Sequence, residues 1–341
     1  MDKGKTVNKK IKVWTNTDVL FLASIFYLLG AFTAILCYIF LIFHEDPSIH
    51  EENNKPSLHP KQTNSSYNSP HLFLPEKEKI PLTKENEYLL WETSTVIRSA
   101  LFQFVKANGK MPITLTSLTP EYLPDLPRDP IKLSNDIVRG MTGEGGWVYN
   151  PIPILSTDEV DIINDIEASL FPNIEHDFSI GFKPLEIIIS NPEHTLRVVS
   201  GNHTIRTYPV GVGREGKIIT GTFTIRDKVM NPNKHLYPIN ENPYGKRGLE
   251  LSNPMYAIHG TYKTQSIGAN QSNGCIRMLN EDVIELYSMV PIHTKVEISD
   301  KRRNPMEEKL PLSIGKRSKF LYDQDDHPTE EELNKTYSWS G

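Results

Sequence analysis

Apolar and polar positions divide this chain into stretches with different periods. Residues 19–43 hold 25 positions without a charge, preceded by a segment with five lysines (Lys3, Lys5, Lys9, Lys10 and Lys12). At about 1.5 Å per residue such a helix is roughly 37 Å long, enough to cross a bilayer core with some tilt. The run is longer than a signal-peptide core and no small-residue cleavage site follows it before His44-Glu45-Asp46, so an uncleaved anchor is expected. The lysines before the span place residues 1–18 in the cytoplasm and everything after residue 43 outside. Residues 44–80 are rich in Asn, Ser, Pro and Lys and show little apolar periodicity, the mark of a linker. Beyond them Leu89, Leu90, Val96, Ile97, Leu101, Phe102 and Val105 recur at helical spacing until Asn108-Gly109. A short strand at Gly145-Gly146-Trp147-Val148-Tyr149-Asn150-Pro151 closes a small α+β module over 81–153. The acidic 154–183 stretch, with Val160, Ile163, Ile166 and Leu170 on one face, reads as a connector helix.

From Pro184 the period becomes that of strands. Apolar alternation predicts strands over 185–190, 195–200, 202–210, 249–251, 255–259 and 294–298, joined by short turns that favour a meander. Residues 211–213 and 220–225 read as turns. Asn280 is the expected N-cap of a helix over 281–289, with Glu281 and Asp282 at its positive end. Residues 301–341 form a polar, charged tail to which no structure is assigned. The expected fold is thus β-rich over 184–300, with a small α+β module and one transmembrane helix before it.

Composition narrows the function. A formal net charge of -5 argues against a nucleic-acid binder, which normally presents a basic face. Two cysteines, one of them Cys37 inside the apolar span, do not make a disulfide framework. No HExxH and no paired-cysteine spacing occurs, so no metal and no cofactor is expected.

The remaining cysteine, Cys275, is framed by Gly274 and lies 16 positions after His259. A thiol near its free pKa of about 8.5 is a weak nucleophile at neutral pH, and an adjacent imidazole remedies that by taking the proton. Gly260 leaves a carbonyl available to hold the useful tautomer. Gly274 permits a sharp turn whose amides suit an oxyanion. The same spacing also fits a small buried cysteine and a structural histidine.

The run His259-Gly260-Thr261…Ser272-Asn273-Gly274-Cys275-Ile276-Arg277-Met278 closely resembles the signature of the L,D-transpeptidase (YkuD) catalytic domain. The likeness extends to Thr220-Gly221-Thr222-Phe223, Asn242-Pro243-Tyr244-Gly245 and the helix after the cysteine. It implies a cysteine in a cleft that attacks the third residue of a peptidoglycan tetrapeptide stem, holds the stem as a thioester, and passes it to an amine in a 3→3 cross-link. It further implies Cys275 as nucleophile, His259 as base and the Gly260 carbonyl as its orienter. The amides of Asn273, Gly274 and Cys275 become oxyanion donors. Arg277 becomes a carboxylate contact or a loop brace, and Ser272 a loop-shaping hydroxyl. Asn273 departs from the pattern, because many members carry His there. Hydrolysis with water as acceptor, an L,D-carboxypeptidase, is the same-site alternative.

The helix ending in Asn108-Gly109, the Leu123-Pro124-Asp125-Leu126-Pro127-Arg128-Asp129-Pro130 turn and the strand after Gly146 resemble the globular part of type II secretion pseudopilins. That likeness implies an envelope protein partner for 83–153. A non-catalytic assembly protein working through this module is the alternative of a different class.

Overall fold

The computed structural model describes residues 82–175, 180–238, 240–302, 337 and 339. The expectations for 1–18, 19–43 and 44–80, and nearly all of that for the tail, lie outside the described residues. Among the described residues no helix is long and apolar enough to cross a membrane. All of them belong to one compact unit.

Helix α1, Lys84–Asn108, begins where the Thr83 hydroxyl accepts the Asn86 amide at 3.2 Å. It ends where Gly109, at φ 67°, turns its N–H back to the Val105 carbonyl. A left-handed residue there is cheap for glycine and strained for most others. The helix is buried on several faces, with Leu90, Trp91, Val96, Ile97 and Leu101 fully enclosed. Most of its buried polar side chains are hydrogen-bonded, the Thr95 hydroxyl being an exception among the described residues. Arg98 donates from Nε and Nη2 to the Leu170 carbonyl, at 3.0 and 2.8 Å, and burial pushes its guanidinium down to about 10 despite Glu167 nearby.

Strands β1, Ile137–Val138, and β2, Trp147–Tyr149, run parallel. Helix α2, Glu159–Ser169, capped by the Asp158 carboxylate, leads into β3, Leu170–Pro172, antiparallel to β2. The turn before β1 is organised by Asp129, whose carboxylate accepts the amides of Ile131, Lys132, Ser134 and Gly146. Four backbone donors thus meet the hydrogen-bonding demand of a fully buried carboxylate.

The rest of the unit is built on eight strands. They are β4, Leu185–Ser190, β5, Thr195–Ser200, and β6, His203–Pro209, followed by β8, Gly221–Met230, β9, Arg247–Leu251, and β10, Ala257–Gly260. The last two are β12, Ile276–Met278, and β13, Lys295–Ser299. Their order across the sheet is β12-β10-β9-β8-β13-β4-β5-β6. A two-stranded ribbon pairs β7, Val212–Gly213, with β11, Asn270–Ser272.

Three expectations need correction. The meander holds for β4, β5 and β6, but β13 inserts between β8 and β4, parallel to β4, and β12 runs parallel to β10. The stretches over 211–213 and 220–225 are not merely turns: Val212–Gly213 is the strand β7, and Gly221 opens the ten-residue β8. Much of that strand is exposed, so its sequence carries little apolar signal. Its order comes from backbone ladders, to β13 through its first half and to β9 through its second, with a register shift between Ile225 and Asp227. Finally, helix α3 runs Asn280–Met289 with Leu279 at the N-cap, so Asn280 is already inside it. The Asn280 carboxamide works elsewhere: it accepts the Lys246 amide and donates to the Thr261 carbonyl, tying the loops that flank the end of β10.

One hydrophobic cluster continues from α1 to the large sheet. Polar contacts follow the same path. The Leu185 amide of β4 donates to Ser99 of α1. Arg206 of β6 lies between Glu92 of α1 and Glu285 of α3.

Candidate active site

The two candidate reactive side chains come from neighbouring strands at one end of the large sheet. Strand β10 carries His259, and β12 begins one residue after Cys275. The parallel register pairs Ile258 with Ile276 and His259 with Arg277, which brings the cysteine alongside the start of β10. Parallel pairing between such close segments needs an intervening loop that loops back, and residues 261–275 supply it.

Within that loop Ser272 spans both ends. Its hydroxyl donates to the Cys275 carbonyl at 2.6 Å and accepts the Gly274 amide at 3.0 Å. Gly274 sits at φ 134°, and a Cβ there would stand 2.6 Å from the Tyr256 ring. Backbone conformation and space therefore both demand glycine. Because its N–H is engaged by Ser272, Gly274 belongs to the loop's own scaffold, a finer picture than three equivalent amides facing a ligand.

His259 is fully buried, and Nδ1–H donates to the Gly260 carbonyl at 2.6 Å. That bond fixes the ring and leaves Nε2 as the basic nitrogen. Nε2 itself has no hydrogen-bond partner among the described residues. Burial pushes the imidazole down to about 4, with the Gly260 bond opposing and the nearby Arg277 charge adding to the effect. The Cys275 side chain is equally buried, with Sγ facing the Met255 carbonyl at 4.0 Å.

Arg277 is half-buried. Burial lowers its pKa, partly offset by Cys275 and Tyr262. Its backbone exchanges two hydrogen bonds with Gly211, at 2.9 Å each, so its position is fixed by main chain. Its side chain, with Pro243, Tyr244, Thr261, Lys263, Asn273 and Trp339, lines a cleft of about 360 Å³. Two cations at the wall of a cleft suit an anionic or carboxylate-bearing ligand.

Sequence reasoning passed over several residues here. Tyr244 packs edge-on against His259, with ring centroids 5.4 Å apart. It lies inside the Asn242-Pro243-Tyr244-Gly245 motif, so its place was legible though its contact was not. Burial raises its phenol pKa, as do Tyr237 and Cys275. Trp339, from the tail left without structure, stacks on His259 at 6.1 Å and 19°. A tryptophan in an otherwise polar stretch was the available signal.

Comparison with known proteins follows the same boundaries. The profile of the L,D-transpeptidase catalytic domain, YkuD, matches residues 184–298. The inferred L,D-transpeptidase YkuD of Bacillus licheniformis is 38% identical over 137 residues, covering 39% of this chain and 74% of that protein. The inferred L,D-transpeptidase YqjB of Bacillus subtilis is 31% identical over 151 residues, covering 40% of this chain and 86% of that protein. Among solved structures, an L,D-transpeptidase from Mycobacterium smegmatis aligns at 20% identity and a TM-score of 0.29, over 38% of this chain and 62% of that one. With residues 184–298 matching the domain profile and the chain covering 74% and 86% of these two Bacillus proteins, this chain belongs to the L,D-transpeptidase (YkuD) family.

Proposed function

We propose that this chain is an L,D-transpeptidase of the cell wall, anchored by residues 19–43 with its catalytic domain facing the peptidoglycan. The observation that carries the reading is the oriented imidazole of His259, its Nδ1–H held by Gly260, on the strand next to the Cys275 loop.

The roles follow from that geometry. Nε2 of His259 takes the Cys275 proton as sulfur attacks the carbonyl of the stem's third residue. The oxyanion is stabilised by amides of the loop around Cys275, which Ser272 and Gly274 hold in shape. Collapse breaks the C–N bond to the terminal D-alanine, whose amine leaves with the proton from the imidazolium, and a thioester remains. An amine from a neighbouring stem then attacks the thioester, loses its proton to His259, and releases the thiol. Arg277 and Lys263 on the cleft wall suit the carboxylates of such stems. Asn273 stands where many members carry a second imidazole, so His259 is the one base in this scheme.

Incubating the chain with tetrapeptide muropeptides tests the reading. Cross-linked dimers that disappear in Cys275→Ala are expected. Tripeptide monomers without dimers would make the chain an L,D-carboxypeptidase instead. If Cys275→Ala leaves wall chemistry untouched while deletion of 83–153 does not, the module is the working part.

A further inference from the structure

The catalytic pair is covered by the chain itself. We propose that Tyr337 and Trp339 form an intramolecular plug, two aromatic residues seated in the active site in competition with the stem peptide. The plug rests on the transpeptidase reading only for the identity of what it keeps out; the covering of the thiol stands apart from it.

The seat is built on both sides of the segment. Trp339 lies nearly parallel to the His259 ring and edge-on to Tyr244, and is tilted against Tyr337 at 4.7 Å. Beneath the indole is Gly248, directly across β9 from His259, where any Cβ would overlap the ring. Gly248 does not adopt a left-handed φ. Its missing side chain is therefore a matter of room, and the room is filled by tryptophan. Tyr337, Trp339, Cys275, Ala257 and Val229 make up a separate apolar cluster with Tyr244 at its margin, so the nucleophile is part of the plug's own packing.

Main-chain atoms of the segment are held as well. The Asn233 carboxamide, itself buried, accepts the Tyr337 N–H at 2.8 Å and donates to the Tyr337 carbonyl at 3.5 Å. Tyr244 donates its hydroxyl to the Trp339 carbonyl at 3.2 Å. One carboxamide reading both polar groups of a residue, with an aromatic slot beyond it, is a mode of recognising an extended peptide. Among the described residues neither His259 Nε2 nor Trp339 Nε1 finds a hydrogen-bond partner. The plug thus excludes water from the base without satisfying it. A substrate that brings its own polar partners to Nε2 has an advantage the plug lacks, and can displace it.

Thiol accessibility tests this without any assay of transpeptidation. Iodoacetamide labelling of the purified full chain is followed by mass spectrometry of the peptide that contains Cys275. In Trp339→Ala, and in a chain ending at residue 336, the labelling rate constant rises at least fivefold over the unaltered chain. Adding the free pentapeptide of residues 337–341 to the shortened chain slows labelling again, which an unfolded protein would not show. A rise below fivefold in either variant, or fast labelling that the peptide leaves unchanged, overturns the plug. Muropeptide cross-linking can fail while these rates behave as stated, so the two readings are separable.

Discussion

His259 is held neutral by its surroundings, and that has a direct consequence for stability. Its folded-state pKa of about 4 lies below the ordinary histidine value of 6.5. The unfolded chain therefore binds the extra proton first as pH falls. The contribution of this residue is whole above about pH 6.5 and is lost progressively toward pH 4. Unfolding measured at pH 7 and pH 4.5 should show a loss on the order of 2 kcal/mol that His259→Asn largely removes. Equal losses in both proteins would place the acid sensitivity elsewhere. Ser272 makes a second expectation at this scale. Its hydroxyl closes two bonds inside the cysteine loop, so Ser272→Ala leaves a buried carbonyl and amide unsatisfied and costs about 1–3 kcal/mol. Thermal unfolding reads that loss, and acylation of Cys275 should slow with it because the loop amides lose their shape. A Ser272→Ala protein with unchanged melting would mean that water replaces the hydroxyl fully.

The elements show what joins the module before the large sheet to that sheet and to α3. Arg206 on β6 is shared by Glu92 of α1 and Glu285 of α3, and Tyr208 also donates to Glu285. Although burial alone would lower the guanidinium's pKa, the two carboxylates more than reverse it, and it stays charged. Arg206→Ala would strand two buried carboxylates and cost about 3–5 kcal/mol. The diagnostic is that α1 loosens together with α3, read as faster amide exchange in both. Exchange rising in α3 alone would show that α1 is held by its apolar face. A second tie crosses the same boundary. Lys228 of β8 donates to the Tyr122 carbonyl and lies over the Tyr287 ring of α3, with burial pushing its ammonium down to about 7. Such joints were invisible in the sequence. A single Arg or Lys on a strand has no period, and its partners here are distant in sequence.

Across the molecule, local signals were read well and long-range ones poorly. Strand β4 alternates buried and half-buried residues, and α1 carries its cap and its stop in Thr83 and Gly109, so both stood out. The candidate loop was conspicuous because glycine, cysteine and their polar neighbours are concentrated in one short run around Gly274 and Cys275. Strand β8 was missed because ladders on both edges, not apolar burial, define it. The insertion of β13 beside β4 was missed because parallel pairing leaves no turn signature. Trp339 was missed because its value lies in a slot made by Gly248 and His259, on strands distant in sequence. The central claim nevertheless rests on one atom, the sulfur of Cys275. Incubation of the full chain with a carbapenem, followed by intact-mass measurement, tests it most directly. A stoichiometric mass increase that maps to Cys275 and vanishes in Cys275→Ala is expected; no increase, or one that survives the substitution, would rule out Cys275 as the nucleophile.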